Sequence, residues 1–381
     1  MENYSTDLPI SDNLDISTFS RLFDDTTNSY KFIFFISLLD ILRSGLFKDS
    51  PSISLKDLAI EMLVVAWYPH SAFRLSFGSQ DVIAKKLDSL AIYTNQSLLK
   101  ITENNKEILR QNIREKMFDD NYDLIKYVPF RLIRPFFPEL TGLKDYQVNN
   151  QIKEISEKIF ESRKPLYKFN LDATSICIHP EWISYIQTHY QIIRGWVSWG
   201  WLRYMQKNNF NTPALSNKLF PPRERESLHA QTAYWKVIIE QSVDLKCIYS
   251  NQVLTLDDIS LDHYLPWSFL AHNQIWNLIP IPQTVNSSKS NKIPDDSYFS
   301  RLINTQYLGI TTFHQYSSLK KWRSCMEPYF VDLGFLSESD LLDFDKFKRQ
   351  YQLRIQPLIA LATSQGFEGN WKYSMSVKQL F

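Results

Sequence analysis

The sequence predicts an α+β fold: a mostly helical chain that encloses one small strand–strand–helix unit. Three observations carry this. Apolar residues recur at i+4 over long stretches, as in Tyr30, Phe34, Leu38 and Leu42, which is the period of a helix with one buried face. Residues 245–281 break instead into short apolar or alternating runs divided by turn formers, the pattern of short strands. With 44% apolar residues, 14% aromatic residues and only 9 Gly in 381, the chain has the material for two or three packed cores. Long disordered tracts do not fit that composition.

Along the chain, residues 1–25 hold six acids against Arg21 alone and predict a loosely held arm. A helical stripe then begins near Thr27, with Leu39 and Ile41 widening it. Residues 55–68 predict a second helix, entered through Ser54 and stopped by Pro69. Residues 79–90 and 106–118 predict two more. The run FRLIRPFF (130–137) reads as two partly buried arginines, Arg131 and Arg134, beside a break at Pro135 rather than as a phosphate contact. Residues 146–162 form a charged amphipathic helix, and Pro180 opens a helical stretch to Lys207 rich in tryptophan. Residues 208–222 lack periodicity and predict a linker. Residues 224–243 return to helix, as do residues 340–362, and a basic cluster, KKWRSC, stands at 320–325. The division this implies is 1–165 helical domain, 166–240 helical lead-in, 241–300 the strand–strand–helix core, and 301–381 a C-terminal helical region.

Net charge is +1, so affinity for a polyanion must come from a local patch. Cys177, Cys247 and Cys325 stand far apart, which argues against a disulfide framework and fits a reducing cytoplasm. The acidic N-terminus lacks the features of a signal peptide. The longest apolar run, 32–42, holds 11 residues and contains Asp40, too short to span a bilayer. The expectation is a cytoplasmic protein with no membrane partner.

The chemistry concentrates in 261–294, LDHYLPWSFLAHNQIWNLIPIPQTVNSSKSNKIP. Residues 245–260 alternate, turn at 250–252 and resume, predicting a β-hairpin. Residues 261–264 end a strand, with Asp262 and His263 pointing to opposite sides or twisted apart. Residues 277–281 form a second strand, and Asn286 or a following serine caps a helix. Asn277 lies 14 residues after His263 (277 − 263) and Asn286 lies 23 after it (286 − 263). Imidazole takes a proton from water near neutral pH, and a carboxylate with an amide offers hard oxygens to Mg²⁺ or Mn²⁺.

This order and spacing resemble the HNH, or ββα-metal, endonucleases, including the form found in RNA-guided CRISPR nucleases. The wording DHYLPWSF, IWNLIP, NSSKSNKIP is also similar to bacterial HNH proteins of restriction and phage-defence gene neighbourhoods. The resemblance covers about residues 245–294. It implies His263 as general base, Asn277 as the residue that orients the loop or the histidine, and Asp262 and Asn286 as metal ligands. Lys289 and Lys292, three residues apart on one helical face, are implied at flanking phosphates. It implies a Mg²⁺- or Mn²⁺-dependent nuclease that nicks one strand of DNA per site, in restriction or phage defence, with DNA and a controlling protein partner or second copy as partners.

Many HNH proteins staple this small fold with CxxC pairs on zinc. Here Cys247 faces Ser250 at the second position, so no structural zinc is expected and flanking helices must hold the core. His272, Trp267 and Trp276 are expected to flank or pack under the loop. A non-catalytic nucleic-acid-binding or scaffold subunit with the same fold, and an RNase with the same site, are the competing readings.

Overall fold

A helix that is apolar all round has nowhere to lie but inside. The computed structural model places the 30–44 segment accordingly. It describes residues 8–44, 52–78, 81–90, 92, 102–117, 124–220, 226–242 and 244–374. Several ends of predicted elements (Ser79, Phe118, Pro221, Pro222, Glu224 and Val243) and residues 1–7 of the arm lie outside this set. The chain divides into two compact units, the first within Met1–Phe210 and Leu219–Arg223, the second within Asn211–Lys218 and Glu224–Phe381. The segment expected as a lead-in, 166–240, is thus shared between the units, and 241–300 and 301–381 fall together.

The first unit runs α1 (Ile16–Ser20), α2 (Tyr30–Ser44), β1 (Ser52–Ser54), α3 (Leu55–Phe73), α4 (Ile83–Leu90), α5 (Glu103–Lys116), α6 (Val128–Ile133), α7 (Asp145–Lys158) and α8 (Phe160–Arg163). It closes with β2 (Tyr167–Phe169), β3 (Ser175–Ile178), α9 (Pro180–Thr188) and α10 (Tyr190–Asn208). Helix α2 is central, packed against α3 and α10, with Ile33, Phe34, Phe35, Ile36, Leu38 and Leu39 fully buried. The three strands form a small antiparallel sheet with β3 in the middle.

The arm is not loose where it is described. Asp15 caps α1 through the Thr18 amide at 2.9 Å, and Leu8, Leu14, Phe19 and Leu22 are buried. Phe19 stacks on Trp182 with ring centroids 4.6 Å apart; four apolar residues among the acids outweigh the charge. Pro69 does not stop α3 either. The helix continues to Phe73 and ends where Arg74 enters the left-handed region at φ 54°, because the carbonyl freed one turn back belongs to Val65, which is not fully buried. Arg131 and Arg134 both donate to Asp145, at 3.0 and 3.1 Å.

One buried charge anchors α3 to α5. The Glu61 carboxylate is 3% exposed and receives Arg110 Nε at 2.6 Å and Nη2 at 3.0 Å, a two-pronged contact that fixes orientation. Arg110→Ala strands the carboxylate, and the first unit is expected to lose about 3–5 kcal/mol of unfolding free energy. Denaturant titration with a probe in this unit reads the change; an unmoved midpoint refutes the role of the pair.

The second unit follows α11 (Leu215–Leu219) at the boundary and runs α12 (His229–Gln241), β4 (Ser260–His263), α13 (Trp267–Leu270), β5 (Leu278–Ile281), α14 (Gln283–Lys289), α15 (Phe299–Tyr316), α16 (Leu319–Leu333), α17 (Glu338–Leu341) and α18 (Phe344–Ser364). The chain is thus mostly helical with small sheets, as expected. The hairpin predicted over 245–260 does not form: one isolated bridge joins Lys246 and Val253, and Asn251, at φ 63°, closes a tight turn on Cys247. The alternation there serves the packing of Leu245, Cys247, Ile248 and Tyr249 rather than a ladder. Gly309 lets α15 and α12 approach, since a Cβ there would lie 2.8 Å from Tyr234 Oη.

Candidate active site

Strands β4 and β5 pair antiparallel, with Ser260 opposite Ile281, Asp262 opposite Ile279 and His263 opposite Leu278. Pro282 then caps α14, which starts at Gln283 rather than at Asn286 and ends at Lys289, where Ser290 takes φ 50°. Successive strand side chains take opposite faces. Asp262 accordingly turns inward, 2% exposed, while His263 stays half-buried.

Asp262 does not face solvent alone. Tyr249 Oη donates to its Oδ2 at 2.9 Å and Lys289 Nζ to its Oδ1 at 3.0 Å. The same ammonium donates to the His263 carbonyl at 2.7 Å, and Lys289 is 0% exposed. Burial, the largest influence on both groups, pushes the Asp262 carboxyl up and the Lys289 ammonium down, while their attraction opposes each shift. Lys289, expected at a flanking phosphate, is therefore turned into the core. Its place one turn after buried Val285 on α14 is the cause. Lys292 lies past the helix, not on one face with Lys289, and pairs with the exposed Glu368 at 3.1 Å.

Asn277 fixes the loop. It is 1% exposed; its Oδ1 accepts from the Leu265 amide at 2.8 Å and its Nδ2 donates to the Leu265 carbonyl at 2.8 Å. Asn286 donates through Nδ2 to Ser260 Oγ at 2.7 Å and to the Leu261 carbonyl at 3.3 Å. That orientation commits the amide nitrogen to β4 and leaves the oxygen as the donor for a ligand. His263 Nε2 lies 3.0 Å from Asn273 Oδ1. His272 packs its ring edge-on to Trp276 at 5.2 Å, accepts from the Gln274 amide, and is pushed down in pKa by burial.

Helices from either side hold this hairpin. Trp235 Nε1 on α12 donates to the Leu278 carbonyl at 3.1 Å. Gln306 on α15 donates to the same carbonyl at 2.8 Å and to that of Ile275 at 3.2 Å, and is itself held by Tyr329 Oη at 2.7 Å. Tyr351 on α18 donates to the Trp276 carbonyl at 2.9 Å, and the Trp276 indole donates to Asp332 at 2.7 Å.

Residues 247–303 match the family model described as HNH endonuclease. The second unit carries an HNH domain. The matched span begins at Cys247, takes in β4, β5 and α14, and ends in the first turns of α15. HNH domains are nuclease domains that generally work with divalent metal ions on nucleic acid. No curated protein and no solved structure gives a match.

Within the HNH domain the Asp262 carboxylate and the Asn286 amide are oxygen donors of the kind a hard dication takes, with Lys289 Nζ 3.0 Å from Asp262 Oδ1. Among the described residues no three His, Cys, Asp or Glu side chains gather as a metal site. The available donors are the Asp262 carboxylate and the Asn286 amide oxygen, and each carboxylate oxygen keeps a lone pair beyond the bond it accepts. Cys247 is buried, with the Ser250 amide 3.5 Å from its sulfur.

Two residues of the site went unread in the sequence. Tyr249 sits in the stretch taken for a hairpin, and Asn273 in a loop without periodicity. For Tyr249 the only signal is a polar-tipped aromatic in an otherwise apolar run; for Asn273 there is none.

Proposed function

We propose that this chain is a metal-dependent endonuclease that hydrolyses phosphodiester bonds in DNA, nicking one strand per site, in bacterial restriction or phage defence. The single observation that carries the reading is one frame, β4–β5–α14, bearing His263, Asp262 and Asn286 while Asn277 pins the loop that follows the histidine. His263 takes the proton from the attacking water. Asp262 and Asn286 would hold Mg²⁺ or Mn²⁺, which when bound would supply positive charge at the phosphate and the leaving 3′ oxygen. Lys292, whose present partner is an exposed carboxylate, is the candidate phosphate contact. No structural zinc is part of this reading.

The matched span has too little surface to choose a target, since specific protein–DNA interfaces bury roughly 1,000–2,500 Å² of protein. The surrounding helices and a protein partner or second copy control cutting, in the cytoplasm. Among the described residues no helix is long and apolar enough to cross a membrane.

The buried Asp262–Lys289 pair favours a second reading, a nucleic-acid-binding subunit that keeps the fold and does not cut. Supercoiled plasmid incubated with the full chain separates the two. Nicking that appears with Mg²⁺ or Mn²⁺ and disappears with chelator supports the nuclease; retention of DNA with no nicking under any divalent ion supports the second. An RNA substrate run in parallel distinguishes DNA from RNA cleavage.

A further inference from the structure

A buried N–H without an acceptor costs free energy, and an anion from outside the chain is one way to satisfy it. Arg131 Nε is such a group: it is buried, and no atom of the described residues accepts from it. Arg131 lines a cavity of about 250 Å³ that lies wholly within the first unit, and Arg134 and Lys31 line the same space. The two arginines stand three residues apart at the end of α6, a spacing that puts them on one side of the helix. Lys31 comes from the first turn of α2, which packs on α6. Burial lowers the Lys31 pKa; Asp25 opposes the fall, and both guanidiniums deepen it. Three cations thus crowd one space, against the carboxylates of Asp25 and Asp145. Asp145 accepts from each arginine, at 3.0 and 3.1 Å, but it is exposed and water weakens its hold.

We propose that this cavity binds a small phosphorylated ligand, with the phosphate group held between Lys31, Arg131 and Arg134. Cations that converge from two helices suit a tetrahedral dianion, which presents oxygens in both directions; a planar carboxylate satisfies one guanidinium fork. Asn28 and Tyr30, at the start of α2, line the same space, so the positive end of that helix adds to the field. The cavity of about 250 Å³ equals about eight waters at roughly 30 Å³ each. That is room for a phosphate with a small organic group and none for a nucleic-acid duplex. The site shares no residue with the HNH domain, and the proposal stands whether or not that domain cuts.

The test is calorimetric titration of the full chain, in chelator, with inorganic phosphate, adenosine 5′-monophosphate and adenosine. Both phosphates are expected to bind and to compete with each other, and adenosine to give no heat. Arg134→Gln and Lys31→Met are each expected to weaken phosphate binding by about 10-fold or more, with circular dichroism confirming that the fold is kept. Asp145→Asn, which releases both guanidiniums, is expected to tighten binding, a gain that misfolding does not imitate. Glu154→Gln, an exposed change on the same helix as Asp145, is expected to leave it unaltered. Failure of both phosphates to bind at millimolar concentration overturns the proposal. So does binding that Arg134→Gln, Lys31→Met and Asp145→Asn all leave unchanged, since the anion then sits elsewhere on the chain. Binding of a 5′-phosphorylated oligonucleotide without binding of either small phosphate also overturns it, because an open surface and not the cavity is then the site.

Discussion

His263→Ala is expected to lower metal-dependent nicking by about 10²–10⁴-fold, the usual cost of losing a general base, with the fold unchanged. The structural side of this expectation is specific. What β4 needs at this position is backbone: the pairing with Leu278 and the carbonyl that receives Lys289 Nζ at 2.7 Å. Alanine supplies both. The imidazole is half-buried and lies 3.0 Å from Asn273 in the loop. Rate on supercoiled plasmid and thermal unfolding of the same preparation decide the matter together. Nicking at the wild-type rate removes His263 from the chemistry, and a collapse in unfolding temperature shows that the loop depends on the ring.

Lys289→Met is expected to produce a large loss of stability in the second unit. The methionine fills similar volume, but Asp262 then keeps only the Tyr249 hydroxyl and stands as an uncompensated charge in the core. Breaking a buried pair from one side costs about 3–5 kcal/mol. The pH dependence has a definite sign. Burial already raises the Asp262 carboxyl above its ordinary value, and without the ammonium that opposes this the rise grows. A carboxyl raised in the folded state contributes its stability at acid pH and loses it as pH climbs, so the deficit of the variant widens from acid to neutral. Replacing both partners, Asp262→Leu with Lys289→Met, restores most of the loss, because the cost lies in the stranded charge. A dication that ligates Asp262 also stabilises the single variant by mass action, so Mn²⁺ raises its unfolding temperature more than that of the wild type. Equal shifts in both proteins take Asp262 out of the coordination shell.

The parts of the site legible in the sequence are those set by local periodicity. Strand alternation separates Asp262 from His263, one inward and one outward, and the two asparagines fall on or beside β5 and α14 as their spacing implies. Lys289 was misplaced for a small reason. Starting the helix at Asn286 hides that Val285 and Lys289 are one turn apart, and on a helix beginning at Gln283 they share the buried face. Tyr249 and Asn273 reach the site through tertiary contacts, from 13 residues before Asp262 and 10 after His263, where no period connects them. In the first unit the arm and Pro69 went the same way: charge count and a helix breaker are local signals, and the burial of Phe19 on Trp182 and the solvent side of α3 are not.

The hydrogen bonds that hold β5 also set the order in which this protein comes into being. Tyr351, which grips the Trp276 carbonyl, follows it by 75 residues, and the bridge of Pro294 with Trp371 closes later still. At about 5–20 residues per second, a ribosome needs several seconds to make the span between strand and clamp. Throughout that time the carbonyl of Trp276, next to β5, is without the hydroxyl that grips it. A chain that stops short of α18 has β4, β5 and α14 but lacks this clamp.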